Sequence, residues 1–333
     1  MVKILLAFPK RQWDMPFNAE MREELNSLGE VTWADFWERE NSPEEYRALI
    51  TAEKPDILIT FWGSGKLTPE ILGENPQLKY MCHISGTVRG QLDRECLKAG
   101  LLVTNWGGVI SRTISEASLM MILASLRRVT EMTMGMHVRG EWPKERMRSL
   151  FERNVGLHGM GPIAQELVPL IRPFNVKLRA YSPNCPDHVF EKLGVERTTT
   201  LRELYAANDV ISIHTGNTPE NFHIVNAEIL GAMQDGAVLV NTARGPIVDT
   251  EALVAELKTG RIYAALDVYE EEPLPADSPL RGLENCLLIP HKGGPTEDRL
   301  VDTGRLCIDN IRRYLAGEET VNQLTYERYA TMT

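Results

Sequence analysis

Residues 154–165 read NVGLHGMGPIAQ, and this stretch restricts the possible folds more than any other. An apolar run enters it, a helical pattern leaves it, and the glycines fall at the turn between. The spacing Gly159-x-Gly161-x-x-Ala164 suits a strand-to-helix connection. Gly159 makes the tight turn, Gly161 admits a pyrophosphate to the backbone, and Ala164 lets helix and strand pack closely. The helix that follows would aim its free N–H groups at the phosphates. Pro162 costs nothing there, because a first-turn position loses no hydrogen bond. Met160 and Ile163 complete the loop. Pro169 predicts a lost bond and a kink in the same helix.

Such a loop belongs in a parallel α/β sheet, and the rest of the chain has the matching rhythm. Strands are expected at KILLAF, DILITF, KYMCHI and LLVTN, with helices between them such as PEEYRALITAE, which puts Tyr46, Leu49 and Ile50 on one face. From Val155 a second series follows: NVGLHG, KLRAYS, DVISIHT, AVLVNTA, YAALDVY and LLIP. Continuous apolar strands separated by helices indicate sheets covered on both faces. Between the two series, residues 110–129 predict one long buried helix with Met120, Met121 and Leu123 in the core. A last helix from Thr296 to a C-cap at Gly317 is expected to return to the first domain. At 333 residues the chain suits two domains.

Composition narrows the partners. A net charge of −10 leaves no basic surface for a nucleic-acid backbone. No apolar run approaches the length needed to span a bilayer. Five scattered cysteines without paired spacing argue against a disulfide framework or a zinc site and for a reducing cytoplasm. No metal site is expected.

Ser182, in YSPNCP, stands about twenty residues after the glycine loop, where an acid commonly accepts the ribose hydroxyls. Without a carboxylate the repulsion against a 2′-phosphate is gone, yet SPNCPDH contains no arginine to attract one. Ser182 and Asn184 could bond either NAD or NADP, or simply form a β-turn.

Three later segments carry the polar residues: NTARGPIVD (241–249), LDVYEEEPLP (266–275) and IPHKGGPT (289–296). Each follows a predicted strand, so all three would emerge at the carboxyl edge, where ligands bind in open α/β sheets. Together with HTGNTPENFHIVN (214–226), these segments resemble the D-isomer-specific 2-hydroxyacid dehydrogenase family along nearly the whole chain.

The resemblance implies a Rossmann-type cofactor domain (107–296) inserted into a flavodoxin-like substrate domain (1–106 with 297–333). It implies a homodimer paired through the 110–129 helix and the Met-rich arm VTEMTMGMHVRGEW. It also implies NAD or NADP as cofactor, with NAD favoured by the family's habit. By motif, Arg244 would anchor a substrate carboxylate, and His291 would exchange a proton with the 2-oxo or 2-hydroxy oxygen. Glu272 would orient His291, with Glu271 as its rival. Chemistry agrees: reduction of a 2-oxo acid needs a hydride from one side and a proton from the other. An imidazole can move that proton, and a guanidinium can fork onto a carboxylate.

The same resemblance implies cofactor contacts from Asp267, Thr242, Ala243, Gly293 and Gly294, with Thr215 and Gly216 where the family usually carries a proline. In the first domain, HISGTVRGQLD departs from the family's loop: Val88 replaces a glycine and Gly90 an acid. Backbone amides of Thr87 and Val88 are the expected substrate donors. Trp62, Gly63 and Trp106 would wall the pocket or, equally, pack in the core. A second reading of the chain is a dinucleotide-sensing protein without catalysis, since corepressors use the same fold.

Overall fold

The first apolar run, Lys3–Phe8, becomes β1, with its last five side chains buried. In the computed structural model, which describes residues 1–144 and 146–331, β1 lies between β2 (Glu30–Asp35) and β3 (Ile57–Thr60). Then come β4 (Tyr80–His83) and β5 (Leu102–Thr104), all parallel, in the order β2-β1-β3-β4-β5. This is the flavodoxin-like order. β2 is absent from the sequence-based strands because its residues, EVTWAD, are only half-buried at the sheet edge and carry no apolar run.

Helices cover both faces of this sheet. Helix Pro43–Glu53 starts on a capping box: the Ser42 hydroxyl accepts from Glu45 N, and the Glu45 carboxylate accepts from Ser42 N. Tyr46 and Ile50 are buried on its inner face, with Leu49 half-buried beside them. Helix Val301–Leu315 packs on helix Ala19–Asn26 and on β4, burying Cys307, Ile308 and Ile311. This helix, which follows the second sheet in the chain, therefore helps to cover the first.

The second sheet begins with β6 (Asn154–His158), β7 (Lys177–Tyr181) and β8 (Glu196–Arg197). It continues with β9 (Val210–Ile213), β10 (Val238–Asn241), β11 (Tyr263–Leu266) and β12 (Cys286–Leu288). All are parallel, in the order β12-β11-β10-β9-β6-β7-β8. The strand order reverses between β6 and β9, which is the switch point of a doubly wound sheet. The glycine loop leaves β6 at that point. β8 is two residues long and charged, so hydrophobic patterning could not reveal it.

The long apolar segment is corrected in two respects. Its helix runs Ser111–Leu126 and stops before Arg128, which is left-handed at φ 55° and starts a separate turn, Val129–Thr133. The buried stripe is Ser111, Ser115, Ser118, Ile122 and Ser125 with Met121 and Leu126. Met120 is 46% exposed and Leu123 half-buried. A nearly all-apolar helix gives no polar face to show which side turns inward, and small serines mark the inner side here.

Contacts divide the chain into Met1–Ile110 with Thr296–Thr333, and Ser111–Pro295. All five cysteines are free. Among the described residues no helix is long and apolar enough to cross a membrane.

Candidate active site

The glycine loop is built by close approach. Gly159 has φ 102°, and a Cβ there would sit 2.7 Å from the backbone of His214 and Thr215 at the end of β9. His214 N bonds His158 O at 2.7 Å, and Gly159 N bonds Tyr181 O at 2.9 Å. Neighbouring strand ends thus clamp the turn. Gly161 differs: a Cβ there would meet only His214 O, at 3.9 Å. Gly161 is also the N-cap of helix Pro162–Ile171, with no side chain capping it. The first-turn amides therefore lack a side-chain cap, and a helix start of that kind can receive an anion.

Met160 buries its side chain in the core, so only its backbone borders the loop, while Ile163 stays half-buried. Pro169 falls in the last turn, two residues before the helix ends. The break coincides with a 3-10 turn at Arg172–Phe174.

The three polar segments leave β10, β11 and β12, which are adjacent in the sheet. After β10, Thr242 and Ala243 are buried, and the Thr242 hydroxyl meets the Ser118 hydroxyl at 2.9 Å. Arg244 is half-buried, and its Nη1 donates to the Ala243 carbonyl at 2.6 Å. The Asn241 amide holds the Arg244 carbonyl at 3.0 Å. Gly245 is then pressed so tightly on Tyr269 that a Cβ would lie 1.9 Å from the Tyr269 carbonyl carbon. This contact locks the arginine turn to the segment after β11.

That segment holds the carboxylates. Asp267 is 2% exposed, and its Oδ1 accepts from Lys292 N at 2.7 Å and Gly293 N at 2.9 Å. It therefore ties the turn after β12 to the end of β11. Glu272 Oε1 accepts from Tyr269 N at 2.9 Å, and its Oε2 lies 2.7 Å from His291 Nδ1. Glu272, and not Glu271, is the partner of His291. The His291 backbone is left-handed at φ 52° and its N donates to Asp267 O at 2.9 Å. The ring is thereby fixed at Nδ1, with Nε2 on the opposite side.

A second histidine–carboxylate pair, not anticipated from sequence, lies on the same stretch. His223 Nε2 meets Glu270 Oε2 at 2.8 Å, and Glu270 Oε1 accepts from Thr250 N at 2.8 Å. The run EEE thus contains two built carboxylates two residues apart, each with its own histidine. Nearby, the Asn221 amide donates to Thr215 Oγ1 at 3.1 Å and Gly216 O at 2.7 Å, shaping the turn after β9.

In the unit built from both chain ends, Trp62 follows β3 and stacks on buried Phe61 (4.2 Å, 28°). Its ring meets Trp106 edge-on at 6.0 Å and 87°. Gly63 turns against Trp37, and Trp106 covers Gly86. Thr87 is exposed, whereas the Val88 side chain is fully buried. Any ligand contact by Val88 is therefore through its backbone.

Burial holds three histidines neutral, His83, His158 and His214, the last with its pKa lowered to about 4. His83 bonds the Thr60 hydroxyl at 2.9 Å, and His158 meets Tyr205 Oη at 3.2 Å. Burial lowers the pKa of His83 to about 4. Burial, with His214 nearby adding to it, lowers that of His158 to about 3. All three lie below the ordinary value of 6.5, so the unfolded chain takes up protons first. Stability from these groups is full above about pH 6.5 and is lost as pH falls toward 4 and then 3. The urea midpoint is expected to fall steeply from pH 6.5 to 4.5 and to stay flat from 7 to 8. His158→Leu should make the acid slope shallower; an unchanged slope would remove His158 from the effect.

Comparisons with known proteins match this architecture. The family profile described as the NAD-binding domain of D-isomer specific 2-hydroxyacid dehydrogenases matches residues 119–293. D-3-phosphoglycerate dehydrogenase from Methanocaldococcus jannaschii is 32% identical over 97% of the chain, which spans 59% of that longer protein. Glyoxylate reductase from Aeropyrum pernix is 30% identical over 92% of the chain and 93% of its own length. The crystal structure of a phosphoglycerate oxidoreductase from Rhizobium etli, 25% identical, superposes with a TM-score of 0.78 over 97% of each chain.

Proposed function

The chain belongs to the D-isomer-specific 2-hydroxyacid dehydrogenase family, and from that premise we propose that it interconverts a D-2-hydroxy acid and its 2-oxo acid with NAD or NADP. The observation that carries this reading is the Glu272–His291 pair at 2.7 Å, contact-linked through Tyr269 and Gly245 to the turn of Arg244.

The cradle fits a dinucleotide. Gly161 leaves space where a side chain would otherwise stand, and the uncapped helix offers its amides. Gly159, Gly161 and Ile163 would hold the pyrophosphate, and Ser182 would meet the adenosine ribose. Thr215, Gly216, Thr242, Ala243, Asp267, Gly293 and Gly294 would border the nicotinamide end. When bound, the cofactor supplies the hydride to C2 of the oxo acid, or takes it from the hydroxy acid.

The chain's own groups do the rest. Arg244 forks onto the substrate carboxylate and polarises the neighbouring carbonyl. His291 Nε2 delivers a proton to the carbonyl oxygen during reduction and removes it during oxidation. Glu272 keeps Nδ1 as the hydrogen-bonded side and stabilises the imidazolium. The test is a panel of 2-oxo acids assayed for NADH and NADPH oxidation. Turnover of at least one, with the D product, is expected; a protein that binds cofactor and turns over none is instead a sensor.

We assign the arm from Val129 to Trp142 to pairing of two copies. Val129, Met136, Val138 and Trp142 are all exposed, an apolar density typical of interfaces. Light scattering at micromolar concentration is expected to give twice the chain mass, and a monomer would refute the pairing. The free thiols support a reducing, cytoplasmic setting.

A further inference from the structure

The segment SPNCPDH contains no arginine, but the fold brings one to it from the next strand. Arg197 ends β8, opposite Ala180 of β7, and its guanidinium reaches back to the turn that follows β7. Nη1 donates to the Ser182 carbonyl at 2.8 Å and Nη2 to the Cys185 carbonyl at 2.6 Å. The guanidinium carbon lies 3.9 Å from the centroid of the Phe190 ring. Two carbonyls and an aromatic face hold a cation in place without neutralising it.

The countercharge is supplied from outside. Asp187 Oδ1 lies 2.8 Å from Arg197 Nη2, yet the Asp187 side chain is 83% exposed while that of Arg197 is 30% exposed. One partner is anchored and the other stands in water, and pairs of that kind hold weakly. Position 182, which in a Rossmann domain faces the ribose 2′ position, carries a hydroxyl and no charge. The Ser182 hydroxyl bonds nothing among the described residues. The surroundings therefore combine a fixed cation, a weakly held carboxylate and, among the described residues that bond Arg197, no buried anion.

We propose that Arg197 selects the cofactor: a 2′-phosphate displaces the Asp187 carboxylate from its guanidinium, so that NADP(H) binds in preference to NAD(H). This rests on the dehydrogenase reading given above and deepens its cofactor site. It also reverses the family's habit, which favours NAD. A phosphate dianion carries more charge than a carboxylate and suits the arginine fork, so Asp187 acts as a replaceable stand-in. With NAD(H), which has no 2′-phosphate, Asp187 stays where it is and nothing is gained.

The test is titration of NADH and NADPH by nucleotide fluorescence in the wild type, Arg197→Gln, Arg197→Lys and Asp187→Asn. The wild type is expected to bind NADPH about tenfold or more tightly than NADH. Arg197→Gln should remove that preference while NADH affinity stays within about threefold. Arg197→Lys should restore part of it, and Asp187→Asn should strengthen NADPH binding further. Displacement of NADPH by 2′,5′-ADP but not by 5′-AMP would tie the gain to the phosphate. Equal wild-type affinities, or an equal loss of both nucleotides in Arg197→Gln, would overturn the proposal and leave Arg197 as a brace of the turn. If neither nucleotide binds the wild type, the dehydrogenase reading falls as well.

Discussion

Replacing His291 is expected to lower kcat by about 10²–10⁴-fold, the usual contribution of a positioned proton donor, with cofactor affinity unchanged. The side chain is 49% exposed and among the described residues bonds Glu272 alone, so its loss leaves no cavity and should barely alter stability. The backbone, however, is left-handed there, where alanine is disfavoured and asparagine tolerated. His291→Asn is therefore the cleaner variant: it keeps the turn and removes the group that exchanges the proton. Steady-state rates with the best oxo acid, beside nucleotide titration, separate the two effects. A variant that binds NAD(P)H normally and turns over at the wild-type rate would take His291 out of the mechanism. Glu272→Gln should fall between, because an amide can still orient the ring but cannot offset the charge of a protonated imidazole.

What could be read from the sequence follows from what each element buries. β9 and β10 are buried at every residue, and continuous apolar runs announce such strands. β2 and β8 lie at sheet edges, and β8 is the dipeptide Glu196–Arg197, so neither had a pattern to give. The helix Ser111–Leu126 was legible as a buried helix, but of Met120, Met121 and Leu123 only Met121 is fully buried. Four serines share its inner stripe, and their small side chains let neighbouring elements come close.

The candidate site divides along the same line. Arg244, Glu272 and His291 sit in short motifs at strand ends, so their placement at one edge of the sheet could be read from the sequence. Glu272 was favoured over Glu271 as the partner of His291 by its place directly before Pro273, and the 2.7 Å contact with His291 Nδ1 agrees. The His223–Glu270 pair joins residues 47 positions apart, and the Arg197 contacts span 15 and 12 positions. Neither has a local signature. A search of SPNCPDH for a cation had to fail, because the cation arrives from the neighbouring strand.

The largest structural penalty is expected at a residue with no side chain. Gly245→Ala would place a Cβ 1.9 Å from the carbonyl carbon of Tyr269 and 2.0 Å from its oxygen, and both atoms belong to backbone that cannot rotate away. Overpacking of flexible core side chains costs about 1–3 kcal/mol. A clash with fixed backbone should exceed that range and lower the melting temperature by on the order of 10 °C. The displaced atoms matter for chemistry as well. Tyr269 N donates to Glu272 Oε1, and Glu272 Oε2 holds His291, while Arg244 directly precedes the glycine. Moving either backbone by even an ångström shifts the guanidinium relative to the imidazole, and positional errors of that size can cost about a hundredfold in rate. Activity should therefore fall below the level that unfolding explains, even at temperatures where circular dichroism shows the variant folded. Gly231→Ala is the matched control: it ends the short helix Ala227–Gly231, and an added Cβ there meets nothing within 4 Å. Its melting temperature and kcat should stay near the wild-type values. If Gly245→Ala also melts and turns over like the wild type, the two turns are not rigidly locked, and the geometry that joins Arg244 to the Glu272–His291 pair loses its physical basis.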